Sequence, residues 1–153
     1  MLYTQPALTV EDLINDELFD PSQYEGYIYM TTNLETSRSY IGKKNFFHKT
    51  NKKLSKKEVI ALPVTRGRTK QTKLVIKPSD WKTYYGSAQE IKENLKNYPK
   101  DKFVRVILKL CKSKKELTYY ENKYLFQYGV LEDSTKWIND NIQGRFFTKD
   151  LMG

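Results

Sequence analysis

The stretch from Gly26 to Gly42 constrains the fold more than any other part of the chain. Two aromatic and β-branched runs, Tyr27-Ile28-Tyr29-Met30-Thr31 and Tyr40-Ile41-Gly42, flank the polar segment Asn33-Leu34-Glu35-Thr36-Ser37, which is the pattern of a β-hairpin. Side chains alternate with period two, so Tyr27 and Tyr29 share a strand face. A turn centred between Leu34 and Glu35 sets Tyr29 directly opposite Tyr40, with Cβ atoms about 5 Å apart. Such a pair serves equally as cross-strand packing or as two phenols on the wall of a site. The hairpin alone does not choose between them.

The rest of the chain surrounds this hairpin with helices. Thr9 and Asp12 form a capping box for an accessory helix within residues 1–25, with Val10, Leu13, Ile14 and Leu18 on one face and a stop at Asp20-Pro21. Ser55 with Glu58 opens a short helix burying Val59, Ile60 and Leu62, and Leu74-Val75-Ile76 reads as a short strand. Ser87 with Glu90 opens a helix that turns Ala88, Ile91, Leu95 and Tyr98 inward and ends before Pro99. Phe103–Leu108 reads as the central strand. Ser113 with Glu116 opens a last helix carrying Leu117, Tyr120, Tyr124, Leu125 and Tyr128 on one stripe, closed by Gly129. The order predicts an α+β domain with a small three-stranded, mainly antiparallel sheet that starts with the hairpin and is flanked by helices.

Charge and composition narrow the function. Residues 43–82 carry 13 Lys/Arg and two acids, whereas the remainder carries 14 bases and 16 acids. A basic insertion of this kind is a nucleic-acid footprint, with Lys43, Lys44, Lys52, Lys53, Arg66, Arg68, Lys70 and Lys73 as DNA-binding candidates. Cys111 is the only cysteine and lies in an apolar run, so it reads as a core residue and excludes a disulfide framework. His48 is the only histidine, which excludes multi-histidine metal sites. No apolar run reaches membrane length and no signal peptide is evident, so a cytoplasmic protein without a membrane partner is expected. One residue breaks an apolar pattern. Glu121 lies on the helical stripe between Leu117 and Leu125, where a carboxylate is costly unless paired or bound to a metal.

Taken together, Ile28-Tyr29, Tyr40-Ile41-Gly42, the 11-residue step between the tyrosines, the stripe glutamate and a late Asn139 resemble the GIY-YIG nuclease family. The resemblance covers residues 26–147, a single nuclease domain within 26–153, and is nearest to small, free-standing phage-encoded members of homing type, which share the stretch Ser79-Asp80-Trp81-Lys82-Thr83-Tyr84-Tyr85-Gly86-Ser87. It implies a DNA endonuclease hydrolysing phosphodiester bonds of double-stranded DNA, with no small-molecule cofactor. In that reading Glu121 holds one Mg²⁺, with Mn²⁺ as a substitute, and Tyr29 is the general base, its phenol lowered by nearby cations. Tyr40 orients water or phosphate. Asn139, or Asn141 beside it, bonds the ion's waters or positions the glutamate helix.

Three departures accompany the resemblance, the first being the basic insertion that separates Tyr40-Ile41-Gly42 from the helix that should follow it. Tyr27 stands where the first motif has glycine, and Asn94 falls at the family's phosphate-binding arginine. Lys44 and Lys92 are the favoured substitutes for that arginine, with Lys43, Arg66 and Arg68 as others. A lysine supplies a point charge without arginine's bidentate fork. His48 is a candidate proton donor and Tyr85 a candidate site residue. With room for no further DNA-reading domain beyond the insertion, the enzyme either has weak specificity, pairs as a homodimer on DNA, or relies on a partner. The missing arginine also fits a catalytically inactive DNA-binding or inhibitory protein, and the many tyrosines fit a binder of structured RNA.

Overall fold

The computed structural model describes residues 7–62 and 71–151, so Arg66, Arg68 and Lys70 lie outside the described residues. The chain divides into two units, Met1–Phe46 with Asp80–Gly153, and Phe47–Ser79. In chain order the elements are α1 (Val10–Asn15), β1 (Gly26–Asn33), β2 (Arg38–Asn45), β3 (Phe47–Lys53), α2 (Lys56–Ala61) and β4 (Thr72–Pro78). There follow α3 (Gln89–Asn97), β5 (Phe103–Cys111), α4 (Lys114–Gln127), β6 (Asn141–Ile142), β7 (Phe146–Phe147) and α5 (Thr148–Leu151). Among the described residues no helix is long and apolar enough to cross a membrane.

The larger unit is built on an antiparallel sheet of order β2-β1-β5. This corrects the expected place of Phe103–Leu108: β1 is central and β5 lies at an edge. The burial pattern explains why, because β1 is buried along most of its length on both faces while β5 alternates. The outer edge of β5 is partly covered by Thr9, which bridges Val106, and by Leu8, whose carbonyl accepts the Ile107 N–H at 2.7 Å. On one sheet face Ile28 and Ile41 pack with Leu117 and Leu125 of α4, Val130, Trp137 and the buried Cys111. Tyr85, Ile91 and Phe103 form a second cluster, to which α3 contributes Ala88, Leu95 and Tyr98 as expected.

The hairpin forms with a register two residues away from the expected one. Tyr29 faces Gly42 and Tyr40 faces Thr31. The turn is displaced because Asn33 Oδ1 accepts the N–H groups of Glu35 and Thr36, an Asx-type turn, and Ser37 takes a positive φ of 58°. A shift of two keeps every side chain on its face. Tyr29 and Tyr40 are therefore diagonal neighbours, with ring centroids 6.3 Å apart.

Several helix ends differ from the sequence reading for local reasons. α1 stops at Asn15, capped by Asp16, and leaves Ile14 at the surface and Leu18 93% exposed. Its buried work is done by Val10 and Leu13, and its Glu11 carboxylate meets the buried Arg105 guanidinium at 2.5 Å. The Ser55–Glu58 capping box forms, yet α2 buries no residue and Ile60 is exposed. α3 starts without its expected box: Ala88 occupies the N-cap with no side-chain bond. Ser87 Oγ instead lies 2.9 Å from Tyr40 Oη, and Glu90 pairs with Arg38 at 2.7 Å. On α4, Tyr128 is exposed rather than buried with its stripe. The terminal segment makes its own two-stranded hairpin, β6 with β7, turned by Gln143 and Gly144 at positive φ.

Candidate active site

The site grows from the free edge of β2. Because β1 uses one edge of β2, the N–H groups of Ser39, Ile41 and Lys43 point the other way and need acceptors. Lys136 supplies its carbonyl to Ser39 at 2.9 Å. Asn139 supplies Oδ1 to Ile41 at 3.0 Å and returns Nδ2 to the Ile41 carbonyl at 2.9 Å. The Glu121 carboxylate accepts the N–H of Lys43. Residues far away in sequence, 98 positions for Ile41 and Asn139, are thus lined up beside the second tyrosine motif.

A groove of about 510 Å³ opens there, lined by Tyr40, Ser87, Glu121, Asn139, Asp140 and Gln143 among others. Burial pushes the Glu121 carboxyl up from its ordinary range, with the Lys43 charge and backbone N–H pulling it partly back. Among the described residues Glu121 makes no ion pair, and Lys43 Nζ is turned to Thr118 Oγ1 at 3.2 Å. The Tyr40 phenol is likewise raised by burial, eased by its Ser87 bond and raised further by the charges of Glu121 and Asp140. No cluster of three His, Cys, Asp or Glu exists among the described residues. The donor set is the Glu121 carboxylate, with Asp140 accepting from Asn141 and Glu90 paired to Arg38 along the same groove, among hydroxyls and amides, all hard oxygen donors. That fits Mg²⁺ or Mn²⁺ carrying waters and a substrate phosphate, and does not fit structural zinc.

Tyr29 stands behind this groove rather than in its lining. It is 2% exposed, hydrogen-bonded to Tyr84 and stacked edge-on against that ring at 5.9 Å. The expected lowering by cations is not what the packing produces: burial raises the phenol well above its ordinary value, and the neighbouring Tyr84 and Tyr40 add to the rise. Lys44 lies beside this pair, 3.9 Å over the Tyr84 ring and 2.6 Å from Asp80. Tyr27 is buried, its hydroxyl 3.3 Å from the Trp81 carbonyl.

The remaining candidates fall in several places. Lys92 is exposed on α3 and does not line the groove. Asn94 on the same helix turns its Nδ2 inward without a partner. Tyr85 is buried against Phe103, with the Arg105 guanidinium 4.2 Å above its ring, so it serves packing. Asn141 lines the groove, donates to Asp140 at 2.8 Å and accepts the Gly144 N–H at 3.0 Å. His48, Lys52 and Lys53 are exposed on β3, and Lys73 on β4 pairs with Glu58 at 2.7 Å. Sequence reasoning missed Ser87, Asp140, Gln143 and Tyr84. Ser87 carried a signal that pointed elsewhere, to a helix cap, and Tyr84 was one of 12 tyrosines.

An antiparallel β2-β1-β5 sheet with neighbouring tyrosines from its first two strands, and a glutamate from the helix after its third, defines a nuclease domain of the GIY-YIG class. The family described as "Putative endonuclease segE, GIY-YIG domain" matches residues 12–142. The chain belongs to the GIY-YIG nuclease family, and its substrate is nucleic acid. No curated protein and no solved structure matches it.

Proposed function

We propose that the protein is a divalent-metal-dependent endonuclease that hydrolyses phosphodiester bonds of double-stranded DNA. The observation that carries this reading is the meeting of the Glu121 carboxylate and the Tyr40–Ser87 hydroxyl pair on one groove at the edge of β2. Bound Mg²⁺, or Mn²⁺ in its place, supplies positive charge to the phosphate and acidifies water. Glu121 holds the ion, and the Lys43 N–H fixes the orientation of its carboxylate. Tyr40, steadied by Ser87, orients the phosphate and the attacking water. Asn139 keeps the β2 edge in place beside them through its two bonds to Ile41.

Tyr29 is the proposed general base. A phenol this buried is neutral at pH 7, so it needs positive charge nearby, and Lys44, over the Tyr84 ring and paired with Asp80, is the proposed source. Lys44 and Lys92 are the proposed phosphate-binding cations in the absence of the family arginine. One groove serves one phosphodiester, so a lone copy nicks and two copies paired on a duplex cut both strands.

Supercoiled plasmid incubated with Mg²⁺, Mn²⁺ or EDTA tests the proposal. Nicking is expected with either metal and none with EDTA, and Glu121→Ala should lower the rate by at least about 100-fold. Cleavage that persists in EDTA or survives Glu121→Ala overturns it. A second reading, an inactive DNA-binding protein, is favoured by the commitment of Arg38 to Glu90 and of Arg105 to Glu11. It predicts DNA binding without nicking under any metal.

A further inference from the structure

The net charge of this protein resides in one of its two units. Phe47–Ser79 holds ten Lys/Arg against a single acid, Glu58, which equals the +9 of the whole chain. The other unit holds 17 bases and 17 acids. Among the described residues of the charged unit β3 and β4 pair only with each other, as a two-stranded antiparallel ribbon. All of its residues are exposed except Phe47 and Val75, which are half-buried. A two-stranded ribbon in water is marginal on its own.

Directly opposed residues share a face. One face of the ribbon carries His48 with Lys77, Thr50 with Val75, and Lys52 with Lys73. Like charges in opposition weaken strand pairing. Glu58 answers Lys73, while Lys52 and Lys77 make no ion pair among the described residues. Such a face gains nothing for folding and suits a polyanion.

We propose that the β3–β4 ribbon is the DNA-docking element and lies in the major groove with this face toward the bases. The proposal rests on the DNA substrate argued above and adds the element that holds it. The B-form major groove, about 12 Å wide, admits a two-stranded ribbon. The deep, narrow major groove of A-form RNA does not. Seven residues per strand span roughly 23 Å, within one turn of duplex. Lys52 and Lys77 reach phosphates at the groove margins, where contacts position without specifying sequence. Thr50 can donate to or accept from a base edge, and the Val75 methyls suit a thymine methyl. The residues proposed to dock DNA thus belong to a different unit from Glu121.

The test is fluorescence anisotropy of a labelled 30-base-pair duplex with the full chain carrying Glu121→Ala, in EDTA, across a salt series. Lys52→Gln and Lys77→Gln should each weaken binding several-fold and reduce the log–log salt slope by about one. Lys100→Gln, in the charge-balanced unit, should leave the slope unchanged. The melting temperature of Lys52→Gln should not fall, since the change relieves a like-charge pair, and this separates lost contact from lost fold. Methyl green, a major-groove ligand, should displace the protein where netropsin, a minor-groove ligand, does not. Duplex RNA should bind at least about tenfold more weakly. Displacement by netropsin alone, equal affinity for duplex RNA, or unchanged slopes in both lysine variants overturns the proposal. Cleavage with binding indifferent to these lysines rejects the ribbon and keeps the nuclease reading. Ribbon-dependent binding with no cleavage under any metal does the reverse.

Discussion

Tyr29 lies directly across the hairpin from Gly42, and its hydroxyl occupies the space a side chain at position 42 would need. A Cβ on Gly42 would stand 2.5 Å from Tyr29 Oη and 2.8 Å from Cζ. The glycine of the second motif therefore makes room for the tyrosine of the first. Gly42→Ala should displace the phenol, cost about 1–3 kcal/mol by overpacking, and lower plasmid nicking at least tenfold. Gly144→Ala is the control: its φ is +61° but nothing lies within 4 Å, so it should lower the melting temperature modestly and leave nicking intact. Calorimetry alongside the cleavage assay checks both.

Glu121 sets stability against metal binding. Its carboxyl is raised above its ordinary value, so stability present below the unfolded-state value is lost as pH rises through the folded one, and the charged form is penalised at neutral pH. Glu121→Gln keeps an acceptor for the Lys43 N–H without that charge. The variant should melt higher than wild type in EDTA, lose the Mg²⁺-induced rise in melting temperature and lose nicking. A melting temperature below wild type in EDTA would contradict the assignment.

Alkaline pH should unfold the protein through its tyrosines. The phenols of Tyr27, Tyr29, Tyr40 and Tyr124 are all raised above 10.0, chiefly by burial. Between pH 10 and their folded values the unfolded chain has released protons that the folded one retains, so stability falls as pH rises. Each such phenol contributes a slope of about 1.4 kcal/mol per pH unit. The melting temperature should drop steeply above pH 10, and the tyrosinate absorbance of these four phenols should appear with unfolding rather than before it.

Asn139 is expected to act on catalysis through β2. Asn139→Ala removes both bonds to Ile41 at a buried position and should cost about 1–3 kcal/mol. Asn139→Asp keeps the acceptor but sets a carboxylate oxygen against the Ile41 carbonyl, and should be at least as damaging. If Asn139 works by holding the strand, both variants should lower the nicking rate with little change in the Mg²⁺ concentration giving half-maximal rate.

The parts of this protein legible in its sequence are those governed by local periodicity. Alternation placed Tyr29 and Tyr40 on one face, helical spacing put Glu121 on the stripe of α4, and capping boxes started α1 and α2, and a Ser113 cap α4, where expected. Periodicity does not determine partners. The hairpin register followed an Asx turn at Asn33, and Ser87 bonded Tyr40 in place of its helix. β3 was hidden because a lysine-rich strand has no apolar alternation, and only its partner β4 reveals it. The neutral phenol of Tyr29 could not be read in advance either, since burial is a property of the packed sheet.

The sequence by itself determined the family, the sheet class and the chemical identity of the groups at the site, because motif spacing and face parity are properties of neighbouring residues. The tertiary structure alone decided how those groups meet. Three outward N–H groups of β2 need acceptors, and the ones they find come from Lys136 and Asn139 and from Glu121 on α4, distant in the chain. An unpaired edge strand in a buried setting must be satisfied, and satisfying it is what brings Glu121 and Asn139 beside Tyr40.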